Sequence, residues 1–113
     1  MNSIPKYGDY WTPLLKAMKL LGGSGTVDEI NAKVIELMKL PPAVLEKMHD
    51  PEGSNMTEVE YRLAWARTYL KNYGLLENSS RGVWALSKDA EGVESLNPTE
   101  VRSSVFQVSV LTF

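Results

Sequence analysis

From Thr57 to Gly74 apolar residues recur with the spacing of a helix. Val59, Leu63, Ala66, Leu70 and Tyr73 form one stripe when each residue advances by about 100°. Thr57 with Glu60 three residues on makes a capping box, and Gly74 supplies a left-handed stop. The pattern predicts a helix over about Glu58 to Tyr73. Glu60, Ala64, Arg67, Thr68 and Lys71 are read on the side away from the stripe, with Tyr61, Trp65 and Tyr69 on one flank. After Gly74 the period shortens to two. Leu75-Leu76 and Val83-Trp84-Ala85-Leu86 read as two short strands turning near Ser79-Ser80-Arg81-Gly82. Trp84 and Leu86 then share one face, Val83 and Ala85 the other.

Upstream, Ile4-Pro5-Lys6-Tyr7 is an extended lead-in. Asp9 can cap a first helix, with Pro13 in its first turn. Trp11, Leu14, Leu15, Met18 and Leu21 make its buried side, and Gly22-Gly23 ends it. Ser24-Gly25 reads as a turn. Thr26 and Glu29 form a second capping box, opening a helix from about Val27 to Met38 that buries Ile30, Val34 and Leu37. Leu40-Pro41-Pro42 ends it, a short third helix is expected over Pro42 to Met48, and His49 to Ser54 is a loop. Past the hairpin, Ser87 to Leu96 reads as a connection with one helical turn. Asn97-Pro98-Thr99-Glu100 is another helix start. Val101, Val105, Val108 and Leu111 fit a helix, whereas Phe106, Val108 and Val110 alternate like a strand; the capping signal favours the helix. The expected fold is α+β and mostly α, with a domain over 1–88 and a C-terminal extension over 89–113 for packing or dimerisation. A helix followed by a two-stranded ribbon is the arrangement of a winged helix-turn-helix.

A chain of 113 residues, 43% hydrophobic and 23% charged, has the make-up of one soluble globular domain. No apolar run approaches the roughly 20 residues of a membrane span, and the N-terminus lacks the apolar core of a signal peptide. There is no cysteine. A cytoplasmic location, with no membrane partner, is the default. The net charge of −2 argues mildly against nucleic acid, but its distribution argues less. Residues 1–57 carry six Lys/Arg and seven Asp/Glu, hence −1; residues 58–88 carry five and three, hence +2; residues 89–113 carry one and four, hence −3. The basic surplus coincides with the long helix and the hairpin.

One pattern is more specific than these trends. Arg62 to Ser87 reads R-L-x-W-A-R-T-Y-L-K-x-x-G-L-L-x-x-x-x-R-G-V-W-x-L-S. It resembles the N-terminal domain of Mrr-type restriction endonucleases, with W-A-R-x-Y-L-K and R-G-V-W together carrying the likeness. The resemblance extends back through the short helix after Leu40 and Pro13-Leu14-Leu15-Lys16-Ala17 to Tyr7 and Pro5, covering about residues 4–88. It implies a winged helix that recognises DNA in a modified-DNA restriction system, with cleavage left to a separate C-terminal nuclease domain or subunit. That chemistry needs acidic residues and a Glu/Gln-x-Lys to hold a metal and orient water. No Glu-x-Lys, Asp-x-Lys or Gln-x-Lys occurs here, so nuclease activity is not expected of this chain.

The expected partner is double-stranded DNA, with the long helix in the major groove. The N-terminal half of such a helix usually faces the bases, which nominates Asn55, Thr57, Tyr61, Ala64 and Thr68 as base readers. Arg67 and Lys71, one turn apart, and Arg81 beside Gly82 at the hairpin tip are expected to hold the backbone. Arg62 divides evenly between a phosphate contact and a place along the core edge with its head in water. Trp65 and Trp84 are read as core or core-edge. No cofactor is expected: His49 is the single histidine and cannot seed a zinc site, Ser79-Ser80 has no base nearby in sequence, and Gly22-Gly23-Ser24-Gly25 lacks the lysine of a phosphate loop. The apolar tail suggests a homodimer through residues 97–113. Two rival readings use the same surface: a small transcriptional regulator, and a protein-interaction winged helix that the acidic total favours.

Overall fold

The computed structural model describes residues 4–53, 55–90 and 92–93. A 3-10 turn over Tyr7–Tyr10 leads into α1 (Trp11–Leu20). Then come β1 (Ser24–Thr26), α2 (Val27–Met38), α3 (Pro42–Leu45), α4 (Glu58–Tyr73), β2 (Leu76–Ser80) and β3 (Val83–Leu86). A second 3-10 turn, Lys88–Ala90, follows the hairpin. The fold is the mostly helical α+β expected, with the element order of a winged helix. The segment 97–113, read as helix, lies outside the described residues.

Both capping boxes form as their spacing requires. Thr26 Oγ1 accepts from the Glu29 amide at 3.2 Å while Glu29 Oε1 accepts from the Thr26 amide at 2.9 Å. Thr57 and Glu60 repeat this at 3.1 and 2.9 Å. Each box occupies two amides that a helix start leaves without intrahelical partners. Gly74 stops α4 at φ +95°, a conformation that favours glycine.

Three helices close one core. Trp11, Leu14, Leu15 and Met18 of α1, Ile30 and Val34 of α2, and Val59, Leu63, Ala66 and Leu70 of α4 are fully buried. Each large apolar side chain so buried contributes about 1.5–3 kcal/mol. Ala90 belongs to the same core, and Trp84, Leu86 and Val93 pack against it. β3 is the central strand of an antiparallel sheet ordered β1-β3-β2. Gly25 stands opposite Trp84 on one side, and Asn78 on the other.

Four local expectations are corrected. Ser24-Gly25 belongs to strand β1, because its partner β3 lies some sixty residues on and a tripeptide shows no period of its own. The first strand of the hairpin is Leu76–Ser80, so polar residues thought to be turn are paired. α3 ends at Leu45, and Met48 instead forms a bridge with Thr57 that closes the loop before α4. Asp9 does not cap α1; its carboxylate accepts from the Lys6 amide at 3.0 Å and stabilises the preceding 3-10 turn. No helix among the described residues is long and apolar enough to cross a membrane.

Candidate nucleic-acid interface

With Val59, Leu63, Ala66 and Leu70 turned inward, α4 presents an outer arc of Tyr61, Ala64, Trp65 and Thr68, continued by Lys71. Asn55, just before the helix, is exposed. Thr57 is half-buried and its hydroxyl oxygen is engaged by the cap. Thr68 is half-buried, and its Oγ1 donates to the Ala64 carbonyl at 3.1 Å. Tyr61, Ala64 and Thr68 thus share the outer arc of α4, each half-buried, and Asn55 is exposed just ahead of the helix.

Arg67 is not on that face. It is 6% exposed, contrary to the expectation that it projects beside Lys71. It follows Leu63 by four positions and precedes Leu70 by three, so it lies at the edge of the buried stripe. Its Nη1 donates to Asn31 Oδ1 of α2 at 2.8 Å, and its guanidinium carbon stands 5.8 Å from the Trp84 ring centroid on β3. Among the described residues it has no ion pair, and Nε is buried without a hydrogen-bond partner. Desolvation therefore pulls its pKa below the ordinary arginine value. Arg67 ties α4 to α2 and to the hairpin, and it is withdrawn from the backbone contacts.

Arg62, on the opposite flank, is held along the core edge. Nε donates to Glu58 Oε2 at 2.7 Å and Nη1 to the Pro5 carbonyl at 2.8 Å. The guanidinium carbon lies 5.2 Å from the Tyr7 ring centroid, within cation–π range. His49 Nδ1 is 2.9 Å from Glu58 Oε1, and the imidazole stacks on Tyr61 with centroids 3.5 Å apart. Burial pushes the Glu58 carboxyl up, but the hydrogen bonds and charges of Arg62 and His49 outweigh it and hold the pKa below 4.5.

This flank also holds what sequence reasoning missed. Trp65 is 44% exposed, neither core nor core-edge as expected; Trp84 is half-buried and packs on the core, as read. Tyr61, Trp65 and Tyr69 line an open groove of about 240 Å³ with Tyr7 from the lead-in. The four-residue spacing of Tyr61, Trp65 and Tyr69 was a visible signal, since such a ladder follows one side of a helix.

The hairpin tip is shaped by Gly82 at φ +75°, which allows the reversal. Asn78 Nδ2 donates to the carbonyls of Ser80 and Val83 at 3.0 and 2.8 Å, spanning the irregularity in the strand pairing. The Gly82 carbonyl accepts from the Val27 amide at 3.1 Å, docking the tip against the start of α2. Arg81 is exposed there. The exposed cations of the 58–88 stretch are thus Lys71, Arg81 and Lys88.

The family described as the Mrr N-terminal domain matches residues 7–95. The chain belongs to that family. The match takes in the Mrr N-terminal domain alone, and no nuclease domain accompanies it in this chain. No curated protein and no solved structure matches the chain.

Proposed function

We propose that this Mrr N-terminal domain binds duplex DNA as the reader of an Mrr-type restriction system, working in the cytoplasm with a nuclease domain or subunit that does the cutting. The observation that carries the proposal is the family match over residues 7–95, joined to a winged-helix order in which, among the described residues, the outer arc of α4 and Arg81 at the hairpin tip are accessible. In this reading α4 enters the major groove, which is wide enough to admit a helix. Asn55, Tyr61, Ala64 and Thr68 meet base edges, while Lys71 and Arg81 hold phosphates. Residues 1–88, with Ala90 and Val93 packed on their core, act as the DNA-binding unit, and the extension joins two copies through 97–113.

The burial of Arg67 changes the electrostatic expectation. With Lys71 and Arg81 as the principal phosphate contacts, the logarithm of affinity should fall with the logarithm of salt with a slope of about −2. Fluorescence anisotropy of labelled duplexes, methylated and unmethylated, across a salt series tests this. Lys71→Ala and Arg81→Ala should each weaken binding on every sequence and reduce the slope by about 1. A chain that binds no duplex even at low salt removes the proposal and supports the protein-interaction reading, which the net charge of −2 favours.

A further inference from the structure

The groove between Tyr7 and α4 is built of four aromatic side chains, Tyr7, Tyr61, Trp65 and Tyr69, with a volume of about 240 Å³. Its rings are braced from behind. Tyr69 packs at 5.6 Å on the buried Trp11, Trp65 leans on Tyr69 at 6.4 Å, and Tyr61 is backed by His49 at 3.5 Å. Exposed aromatic surface held this firmly is costly to leave in water, and among the described residues Trp65 keeps 44% of its surface exposed.

Three classes of occupant suit aromatic walls: a cation, an aliphatic side chain, and a flat heteroaromatic ring. A cation is disfavoured. Arg62 already stands over the Tyr7 ring at 5.2 Å, and the nearby Glu58 carboxylate is engaged by Arg62 and His49 at 2.7 and 2.9 Å. A second positive charge would meet a like charge with no free anion to balance it. An aliphatic side chain leaves the polar rim unused. Among the described residues, the hydroxyls of Tyr7, Tyr61 and Tyr69 make no hydrogen bond, and each can donate or accept at the edge of a ring. A nucleobase fits both features: its faces stack on aromatic walls, and its edge carries donors and acceptors that the tyrosine hydroxyls can meet.

We propose that this groove receives a nucleobase unstacked from its strand, with Trp65 as the stacking platform and the tyrosine hydroxyls at the base edge. The inference rests on the DNA-binding reading and deepens it, adding a site on the outer flank of the helix that reads the duplex. Extruding a base from a duplex carries an unpairing cost that is smallest at a mismatch and absent in a single strand. The groove therefore favours DNA in which one base is already loose.

The test uses the full chain at low salt with three probes of equal length: a matched duplex, the same duplex with one central mismatch, and one of its single strands. Binding is read by anisotropy of the labelled DNA and stacking by tryptophan emission. The mismatched duplex should bind about tenfold more tightly than the matched one and quench tryptophan emission. Trp65→Ala should abolish the quenching and weaken binding of the mismatched duplex about 5- to 150-fold. Trp65→Phe should retain most of the affinity, and Tyr61→Phe, which keeps the stack on His49, should lose part of it. Circular dichroism matching wild type keeps these losses separate from unfolding. A matched duplex bound in a salt-sensitive way, with no mismatch preference and no quenching, overturns the groove and leaves the proposed function standing. A single strand that quenches Trp65 without duplex binding supports the groove and removes duplex reading. No binding to any of the three overturns both and assigns the rings to a protein partner.

Discussion

The two flanks of α4 carry one arginine each, five residues apart, and treat it in opposite ways. Arg62 has a carboxylate at 2.7 Å, a carbonyl at 2.8 Å and an aromatic face. Arg67 is almost wholly buried with a single amide oxygen as its hydrogen-bond partner among the described residues and a tryptophan ring nearby. The Arg62 flank opens into the aromatic groove, whereas the Arg67 flank is sealed by α2 and the hairpin. Neither arginine is available to a phosphate, although both belong to the stretch whose charge suggested nucleic acid. Local net charge counts cations without asking whether they are already engaged, and packing decides that.

The largest expected effect is at Arg67. Arg67→Ala should destabilise the domain by about 2–4 kcal/mol, because it empties a packed volume and leaves Asn31 without its partner. Arg67→Met, which fills most of that volume without a charge to desolvate, should lose less than half as much. Urea unfolding of the two variants measures both; a loss below about 1 kcal/mol for alanine would mean that the Arg67 flank is not sealed.

Arg62→Ala should cost less, about 1–2 kcal/mol, since its ion pair is partly screened by solvent. Part of this loss should diminish at high salt, whereas the Arg67→Ala loss should not. Equal salt dependence of the two variants in denaturant titrations would erase the contrast between the flanks.

A smaller effect follows from Glu58. Its pKa in the folded chain lies below 4.5, so the stability it contributes is complete above 4.5 and is lost as pH falls through the folded-state value. Glu58→Gln and Arg62→Ala should each flatten the decline of stability below pH 4.5 relative to wild type. Stability measured at a series of acidic pH values checks the sign: a steeper decline in either variant contradicts the assignment.

The smallest stability effects belong to the open face. Trp65→Ala and Lys71→Ala should change unfolding free energy by no more than about 1 kcal/mol, because Lys71 is exposed and Trp65 keeps 44% of its surface in solvent. Thermal melts of these variants that fall well below wild type would show the outer face to be part of the packing and not a free surface.

Much of the architecture was legible because it depends on near neighbours in the chain. Thr26-x-x-Glu29 and Thr57-x-x-Glu60 cap their helices through contacts three residues apart, and Gly74 ends α4 through its own φ. The stripe of Val59, Leu63, Ala66 and Leu70 follows from helical periodicity alone. The hairpin showed its second strand, β3, without error. These features let the sequence alone determine α2 and α4, their caps and the apolar side of the helix that matters most.

Tertiary structure decided the rest, for a physical reason that recurs at each position. Periodicity assigns a residue an angle around its helix, but the width of the buried arc depends on what packs there. Arg67 sits at the edge of the stripe, and it is buried because Asn31 and Trp84 close over it from α2 and β3. Trp65 is exposed because no described element covers its flank, and it becomes part of a groove because Tyr7 arrives from more than fifty residues away. Ser24–Thr26 is a strand because β3 returns to pair with it. Each of these outcomes is a contact between distant segments, and the sequence holds both partners without stating that they meet.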